Sequence, residues 1–143
     1  MNCIIIDDEA AARAIVAQLC SKISELDVIA EFDNAIDALK FLNQESIDIV
    51  FLDIHMPGFS GVDFVQTLKN PPKVVLTTSD TNFAIAAYEY ECIVDYLVKP
   101  ITLERFQKSF QKLKNITQLP PVGPSKEIGE SASGEDLYIN IDR

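Results

Sequence analysis

The chain has 143 residues, of which 48% are hydrophobic, and its 22 acidic and 12 basic side chains give a formal net charge of -10. This apolar content is enough to fill the core of one domain, and the negative charge disfavours direct binding of a polyanion such as DNA. No apolar run approaches the roughly 18 residues of a membrane span, and the start of the chain lacks the pattern of a signal peptide. We therefore expect a cytoplasmic protein without membrane contact.

Cys3, Cys20 and Cys92 have the spacing of neither a zinc site nor a disulfide framework, which predicts buried, reduced thiols.

Strands and helices are predicted to alternate from the first residue to about Asn115. A continuous apolar run predicts a strand over residues 2–6, an almost wholly apolar one predicts a strand over residues 47–52, and a further strand is expected over residues 27–32. Apolar side chains recur at helical spacing between these strands, and Asn34 is a candidate N-cap for the second helix. The predicted inner faces are Ala12, Ile15, Val16, Leu19 and Ile23 in the first helix, and Ala35, Ala38, Leu39 and Leu42 in the second.

The same alternation continues through the rest of this region. A turn-rich segment over residues 56–61 precedes a third helix, which Pro71-Pro72 is expected to end. Strands are predicted over residues 74–76 and 93–98, with a helix over residues 82–91 between them. Thr102 is a candidate cap for the last helix. The predicted inner faces are Phe64, Val65 and Leu68 in the third helix, and Leu103, Phe106, Phe110 and Leu113 in the last.

Five such strand–helix units predict an α/β protein with a parallel sheet that is covered on both faces. We expect the flavodoxin-like, doubly wound (βα)5 fold with strand order 2-1-3-4-5. Ligands bind to such sheets outside the carboxyl ends of the strands, where the strand order reverses. In this chain that position lies between the first and third strands.

Acidic side chains stand at the carboxyl ends of those two strands. Asp7 and Asp8 follow the first strand, and Asp53 follows the third. Carboxylates within a few ångströms of one another repel, and a hard divalent cation with oxygen ligands removes that repulsion. We therefore predict a Mg²⁺ site, which would also accept Mn²⁺, formed by these three residues and the backbone carbonyl of His55.

The fourth and fifth predicted strands bring further polar groups to the same edge. With a cation bound, Asp53 is expected to attack a phosphoryl donor while Lys99 neutralises charge on the transferred oxygens. Thr78 is then expected to turn its hydroxyl toward the new phosphoryl group, and Tyr96 to fill the vacated space. The simpler alternatives are that Thr78 satisfies a loop amide, that Tyr96 is a fixed core aromatic, and that Pro100 only stops a helix.

A set of motifs lies in order along the chain: Asp7-Asp8, Asp53 with Met56-Pro57-Gly58 and Gly61, Thr78, Tyr96 and Lys99-Pro100. Over residues 1 to about 115 this set resembles the receiver domain of bacterial two-component response regulators. The resemblance implies that Asp53 is the phosphoacceptor, that Asp8 binds the metal directly and that Asp7 binds it through water. It also implies that Thr78 and Tyr96 are the switch hydroxyl and aromatic, that Lys99 contacts the phosphoryl group and that Pro100 has a conformational role.

The resemblance extends to a subfamily. Residues 77–84, 87–89 and 95–101 are similar to receivers joined to a LytTR-type DNA-binding domain, and residues 137–142 resemble the first strand of such a domain. We therefore expect the chain to be a fragment that ends just inside its output domain.

The implied organisation is a receiver over residues 1–116, a Pro-, Ser-, Gly- and Glu-containing linker over residues 117–136 and the truncated output domain over residues 137–143. The implied partners are a sensor histidine kinase and, on phosphorylation, a second copy of the chain bound through residues 81–91 and 93–115. DNA would be contacted only through the missing domain.

Three other functions compete with a transcription-controlling phosphoacceptor. A stand-alone receiver would act through protein contacts alone. A Mg²⁺-dependent phosphohydrolase would place a second Asp two residues after the nucleophile, where this chain has His55. A flavin-binding protein would need a Ser-, Thr- or Gly-rich first loop, and residues 8–11 do not provide one. We therefore expect a signalling domain rather than an enzyme.

Overall fold

The computed structural model describes residues 1–57, 61–80 and 90–118. Its strands form one parallel sheet in the order β2-β1-β3-β4-β5, so the predicted fold class and strand order are confirmed. The chain divides into two units, Met1–Leu113 and Lys114–Arg143, and only residues 114–118 of the second are described. The strands are β1 (Asn2–Ile6), β2 (Asp27–Phe32), β3 (Ile49–Asp53), β4 (Lys73–Thr78) and β5 (Ile93–Val98). The described helices are α1 (Ala10–Ser21), α2 (Ala35–Gln44), α3 (Gly61–Thr67) and α4 (Leu103–Gln118).

The two central strands are buried on both faces, as their continuous apolar runs predicted. Every residue of β3 is buried, and so are the last four of β1. Alternate side chains of these strands point to opposite faces and enter two separate core clusters. Ile4, Ile6, Val50 and Leu52 pack on the face that also contains α2 and α3 residues, whereas Ile5 and Phe51 pack on the face of α1 and α4.

Both predicted N-caps are present. The Asn34 side chain accepts a hydrogen bond from the backbone N–H of Asp37 at 2.8 Å, and the Thr102 hydroxyl accepts one from Arg105 at 3.2 Å. These bonds satisfy donors that the first turn of a helix leaves unpaired.

For two residues, the prediction that they lie on the inner face of a helix is wrong. Ile15 of α1 is 50% exposed, and Val16 and Cys20 are the buried residues of that helix. Leu103, at the start of α4, is 38% exposed, although Phe106, Phe110 and Leu113 are buried as predicted. The prediction of buried thiols holds for Cys3 and Cys20, whereas Cys92 is only partly buried. Helical periodicity defines the middle of an apolar stripe, but the packing against the sheet decides where its margins lie.

Several predicted boundaries shift or lie outside the described residues. β3 covers Ile49–Asp53 instead of residues 47–52, and β4 covers Lys73–Thr78 instead of residues 74–76. As a result, Asp53 and Thr78 are the last residues of their strands. The helix predicted over residues 82–91 falls almost wholly outside the described residues, and so does the strand predicted over residues 137–142. Among the described helices, none is both long and apolar enough to cross a membrane.

Candidate functional site

The carboxyl ends of β1 and β3 bring three aspartates together. Ile6 pairs with Leu52 in the parallel ladder, so Asp7 and Asp53 follow on adjacent strands. One carboxylate oxygen from each of Asp7, Asp8 and Asp53 lies within 4.8 Å of the other two. Asp7 and Asp53 are buried, at 2% and 5% exposure, whereas Asp8 is exposed. The convergence expected from the topology is therefore present, with one of the three side chains open to solvent.

Asp7 is held at each of its polar groups. Its backbone N–H donates to the carbonyl of Phe32 on β2 at 3.0 Å, and its carbonyl accepts a 2.7 Å hydrogen bond from Arg13 Nη1. Its side-chain Oδ1 accepts from the backbone N–H of Glu9, and its Oδ2 accepts from Lys99 Nζ, both at 2.9 Å. Both carboxylate oxygens and both backbone polar groups of this buried residue therefore have hydrogen-bond partners.

Asp53 is less well compensated than Asp7. Its Oδ1 accepts one hydrogen bond from the backbone N–H of His55 at 3.2 Å and lies 3.8 Å from Lys99 Nζ. Burial, and next the negative charge of Asp7, raise the pKa of Asp53 from its ordinary value of 3.8 to about 6, against the opposing effects of Lys99 and the His55 N–H. Asp53 is thus the carboxylate at which an additional positive charge would have the largest effect.

Lys99 connects β5 to the acidic group. Its backbone N–H donates to the carbonyl of Thr78 at 2.7 Å, and the peptide bond to Pro100 is cis. Burial alone would lower the pKa of Lys99, but the hydrogen bond to Asp7 and the charge of Asp53 raise it above its ordinary value. Lys99 therefore remains an ammonium group that is closer to Asp7 than to Asp53.

These residues fit a hard divalent cation. Their donors are carboxylate oxygens, the ligands that Mg²⁺ prefers, and two of the three carboxylates are buried beside a single ammonium group. Burial, and next the charge of Asp7, raise the pKa of Asp53, and a bound cation would oppose this shift by favouring the ionised carboxylate. The cluster could therefore hold a metal ion.

His55 lies two residues after Asp53, and its side chain has no predicted catalytic role. The imidazole is 50% exposed, with Nε2 3.9 Å from Asp80 Oδ2. The role predicted for His55, cation binding through its backbone carbonyl, stays a prediction, and its backbone N–H donates to Asp53 Oδ1.

Thr78 and Tyr96 lie on neighbouring strands. Thr78 is fully buried, and its hydroxyl accepts a hydrogen bond from the Asp80 N–H at 2.9 Å and lies 3.4 Å from the Asp80 carbonyl. In this arrangement Thr78 satisfies a loop amide, which was the simpler of the two predictions. Tyr96 is partly buried against the core and stands two residues before Val98, the partner of Thr78 in the ladder. The two side chains therefore belong to the same face of the sheet.

Two residues at this site were overlooked or incompletely understood from the sequence. A Cβ atom on Gly61 would lie 2.8 Å from the Asp53 carbonyl oxygen and 2.9 Å from Ile54 Cα, so only glycine permits this close approach. The glycine was noted within a turn-rich segment, but its contact with β3 was not foreseen. Arg13 was not considered, although a lone basic residue in the first turns of α1, six positions after Asp7, was a usable signal.

The fold and this group of residues define a class. The doubly wound parallel sheet places the chain among the flavodoxin-like proteins, and the carboxyl ends of its strands carry an acidic cluster, a lysine and a buried threonine. More specifically, the chain belongs to the response regulator receiver domain family, whose model matches residues 3–111.

Relatives and solved structures agree with this assignment. The chain is 39% identical over 115 residues to an uncharacterized response regulatory protein of Vibrio cholerae, covering 79% of this chain and 48% of that protein. It is 38% identical over 118 residues to the sensory transduction protein LytR of Staphylococcus haemolyticus, covering 80% and 46%. The response regulatory domain of protein mrkE from Klebsiella pneumoniae superposes with a TM-score of 0.73 at 33% identity, covering 81% and 97%. The chain thus spans about half the length of these curated relatives and nearly all of the isolated domain.

Proposed function

We propose that this receiver domain accepts a phosphoryl group on Asp53 from a sensor histidine kinase in a Mg²⁺-dependent reaction and thereby controls transcription. The observation that carries the proposal is the placement of Lys99 Nζ 2.9 Å from Asp7 and 3.8 Å from Asp53, within a cluster of three carboxylates. This arrangement provides a nucleophile, cation ligands and a phosphate-binding cation in one place.

The proposed cation ligands are Asp8, Asp53 and the backbone carbonyl of His55, with Asp7 acting through water. When bound, Mg²⁺ or Mn²⁺ would offset negative charge on the oxygens of the transferred group. Asp8 is the exposed member of the cluster and is suited to the outer side of the site. Asp7 already has both carboxylate oxygens engaged, which supports a less direct role.

The transfer itself would use Asp53 as the nucleophile. An oxygen of its carboxylate attacks the phosphorus atom of a phosphohistidine, the P–N bond breaks, and the departing imidazole nitrogen keeps the electron pair and takes a proton from solvent. The product is an acyl phosphate on Asp53. The Lys99 ammonium group, which needs to move only from Asp7 toward Asp53, stabilises the new negative charge.

The response would begin at Thr78. Its hydroxyl is engaged with Asp80 and can exchange that contact for a phosphoryl oxygen on the neighbouring strand. Tyr96, on the same face of the sheet, would then move into the space behind it. Such a switch biases two packings of the same residues, and coupling of about 1 to 3 kcal/mol is typical.

A groove beside Lys99 is a suitable place for the kinase to dock. It has a volume of about 330 Å³ and is lined mainly by apolar side chains, including Ile15, Pro100 and Ile101. The 50% exposure of Ile15 leaves apolar surface in the groove that Lys99 also lines. A partner that covers this groove would bring its histidine close to Asp53. We therefore assign the groove to the histidine-bearing segment of the kinase.

The proposed organisation beyond the site follows the relatives. We propose a receiver over residues 1–116, a linker over residues 117–136 and the beginning of a LytTR-type DNA-binding domain over residues 137–143. The chain spans about half of the length of LytR-named relatives, which is consistent with a second domain of similar size. A stand-alone receiver that acts only through protein contacts is the alternative.

The decisive experiment is incubation with acetyl phosphate and Mg²⁺, followed by intact-mass analysis. Wild type should gain one labile phosphoryl group, and Asp53→Asn should gain none. Asp63→Asn removes an exposed carboxylate on α3 and serves as the control that should label like wild type. Labelling of Asp53→Asn, or steady turnover of a phosphomonoester by wild type, would overturn the proposal.

A further inference from the structure

The turn between β1 and α1 is contacted by a cationic side chain that the proposed chemistry does not use. Arg13, in the second turn of α1, folds back over the start of its helix so that Nη1 donates to the Asp7 carbonyl at 2.7 Å. Its Nε lies 3.7 Å from Glu31 Oε1 on β2, and its side chain is 20% exposed. Arg13 thus joins the turn that carries two cluster carboxylates to the neighbouring strand.

The atom that Arg13 holds determines the direction of the next residue. The Asp7 carbonyl belongs to the peptide group that leads into Asp8, so a hydrogen bond to it fixes the plane of that peptide. Asp7 is already fixed by Phe32, Glu9 and Lys99. The Asp8 side chain is exposed, and its direction depends on the backbone from which it extends.

We propose that Arg13 is a positioning residue for the cation site, which it holds in a binding geometry by orienting the Asp7–Asp8 peptide group. Groups that orient metal ligands by hydrogen bonding, without binding the metal themselves, typically affect metal affinity by about 10- to 100-fold. This inference rests on the proposed function, because it takes the three carboxylates to be the cation site.

The sign of the effect separates positioning from simple electrostatics. Removal of a positive charge near three carboxylates would by itself strengthen their attraction for a divalent cation. Loss of the hydrogen bond to the Asp7 carbonyl would instead weaken binding, because Asp8 would no longer be held in place. The two explanations therefore predict opposite changes in the dissociation constant.

The test is a Mn²⁺ titration in which electron paramagnetic resonance measures the free ion. Arg13→Met should raise the dissociation constant about 10-fold, and Arg13→Lys, which keeps the charge and a donor, should recover most of the affinity. Lys22→Met removes a positive charge at the C-cap of α1 and should leave the affinity unchanged. Thermal unfolding without metal, recorded in parallel, identifies any loss of stability. An unchanged or lower dissociation constant for Arg13→Met would overturn the inference.

Two further measurements distinguish this inference from the proposed function. The Mg²⁺ concentration that gives half-maximal labelling by acetyl phosphate should rise in Arg13→Met, whereas labelling at saturating Mg²⁺ should recover. If wild type binds Mn²⁺ in an Arg13-dependent way but takes no phosphoryl group, the proposed function fails and the positioning role stands. If Asp8→Asn binds Mn²⁺ like wild type, both fail. Should Arg13→Met not fold, Arg13→Gln, whose side chain is shorter, must show the same weaker binding.

Discussion

At the scale of single residues, the two buried aspartates of the site have different electrostatic surroundings. Asp7 accepts two charge-assisted or backbone hydrogen bonds on its side chain and is closest to Lys99. Asp53 has one longer hydrogen bond, and burial and the charge of Asp7 raise its pKa to about 6. Of these two aspartates, the one proposed to react is therefore the one whose negative charge is less well compensated. A bound cation or phosphorylation would reduce the resulting electrostatic cost.

This difference predicts that, in the absence of divalent cations, the free energy of unfolding depends on pH. Because the pKa of Asp53 is raised on folding, the folded state holds the proton more tightly than the unfolded chain does. The free energy of unfolding should therefore fall as the pH rises from about 4 to about 6 and stay lower above that, by roughly 2 to 3 kcal/mol. Asp53→Asn removes this contribution and should be the more stable protein at pH 7.5 in EDTA.

Urea unfolding of both proteins between pH 4 and pH 7.5 measures the effect, since the difference between the two curves isolates Asp53. Saturating Mg²⁺ should reduce the difference at pH 7.5. Parallel curves for wild type and Asp53→Asn would show that folding does not shift the pKa of Asp53.

At the scale of secondary-structure elements, a buried ionic cluster joins β5 to α4. Asp95, fully buried on β5, accepts two 2.8 Å hydrogen bonds from Arg105 and one of 3.1 Å from Lys112. Arg105 also donates to the Tyr96 carbonyl at 3.1 Å. Burial alone would raise the pKa of Asp95, but the two cations lower it below its ordinary value. The proposed switch aromatic thus lies on a strand whose backbone is tied to the last helix.

We expect Arg105→Met to destabilise the protein by about 2 to 4 kcal/mol, because it removes two charge-assisted hydrogen bonds from a buried carboxylate. Lys108→Met, on an exposed position of the same helix, should change stability by less than about 0.5 kcal/mol. Chemical denaturation at pH 7 compares the two variants. Equal stabilities would mean that the cluster contributes little beyond its packing.

Predictability also differs between elements. The boundaries of β1, β2 and β5 follow from the sequence because each strand is a mainly apolar segment between polar residues, although no residue of β2 is fully buried. The inner face of α1 does not, because Ile15 and Val16 are adjacent and either could occupy the margin of the apolar stripe. The groove beside Lys99 leaves Ile15 at the surface, and that groove exists only once β5 and the Pro100 loop are in place.

At the scale of the whole molecule, the parallel strands place the site at one edge of the sheet. The proposed conformational response to phosphorylation would occur on other elements. Strand order puts β3 in the centre and β5 at an edge, with β4 between them. A change at Asp53 can thus reach the proposed dimer surface over residues 81–91 and 93–115 through Thr78 and Tyr96.

We therefore expect beryllofluoride with Mg²⁺ to convert wild type to a dimer in size-exclusion chromatography with light scattering, and to leave Asp53→Asn unchanged. Lys108→Glu, on the exposed side of α4, should weaken the dimer about 10-fold because it adds negative charge within the proposed interface. Lys40→Glu makes the same change on α2, away from that surface, and is the control. A dimer that both variants weaken equally would place the interface elsewhere.

The sequence by itself determined the class of fold, the strand order and the aspartates that meet at the site, because buried parallel strands have a distinctive apolar pattern and their carboxyl ends must share an edge. Only the tertiary structure decided how the charges are paired. Lys99 is closer to Asp7 than to Asp53, Arg13 holds the turn between the acidic residues, and Gly61 lies against the backbone of Asp53. Lys99 is far from both aspartates along the chain, and local spacing alone does not determine which of several nearby partners a long side chain such as that of Arg13 will reach.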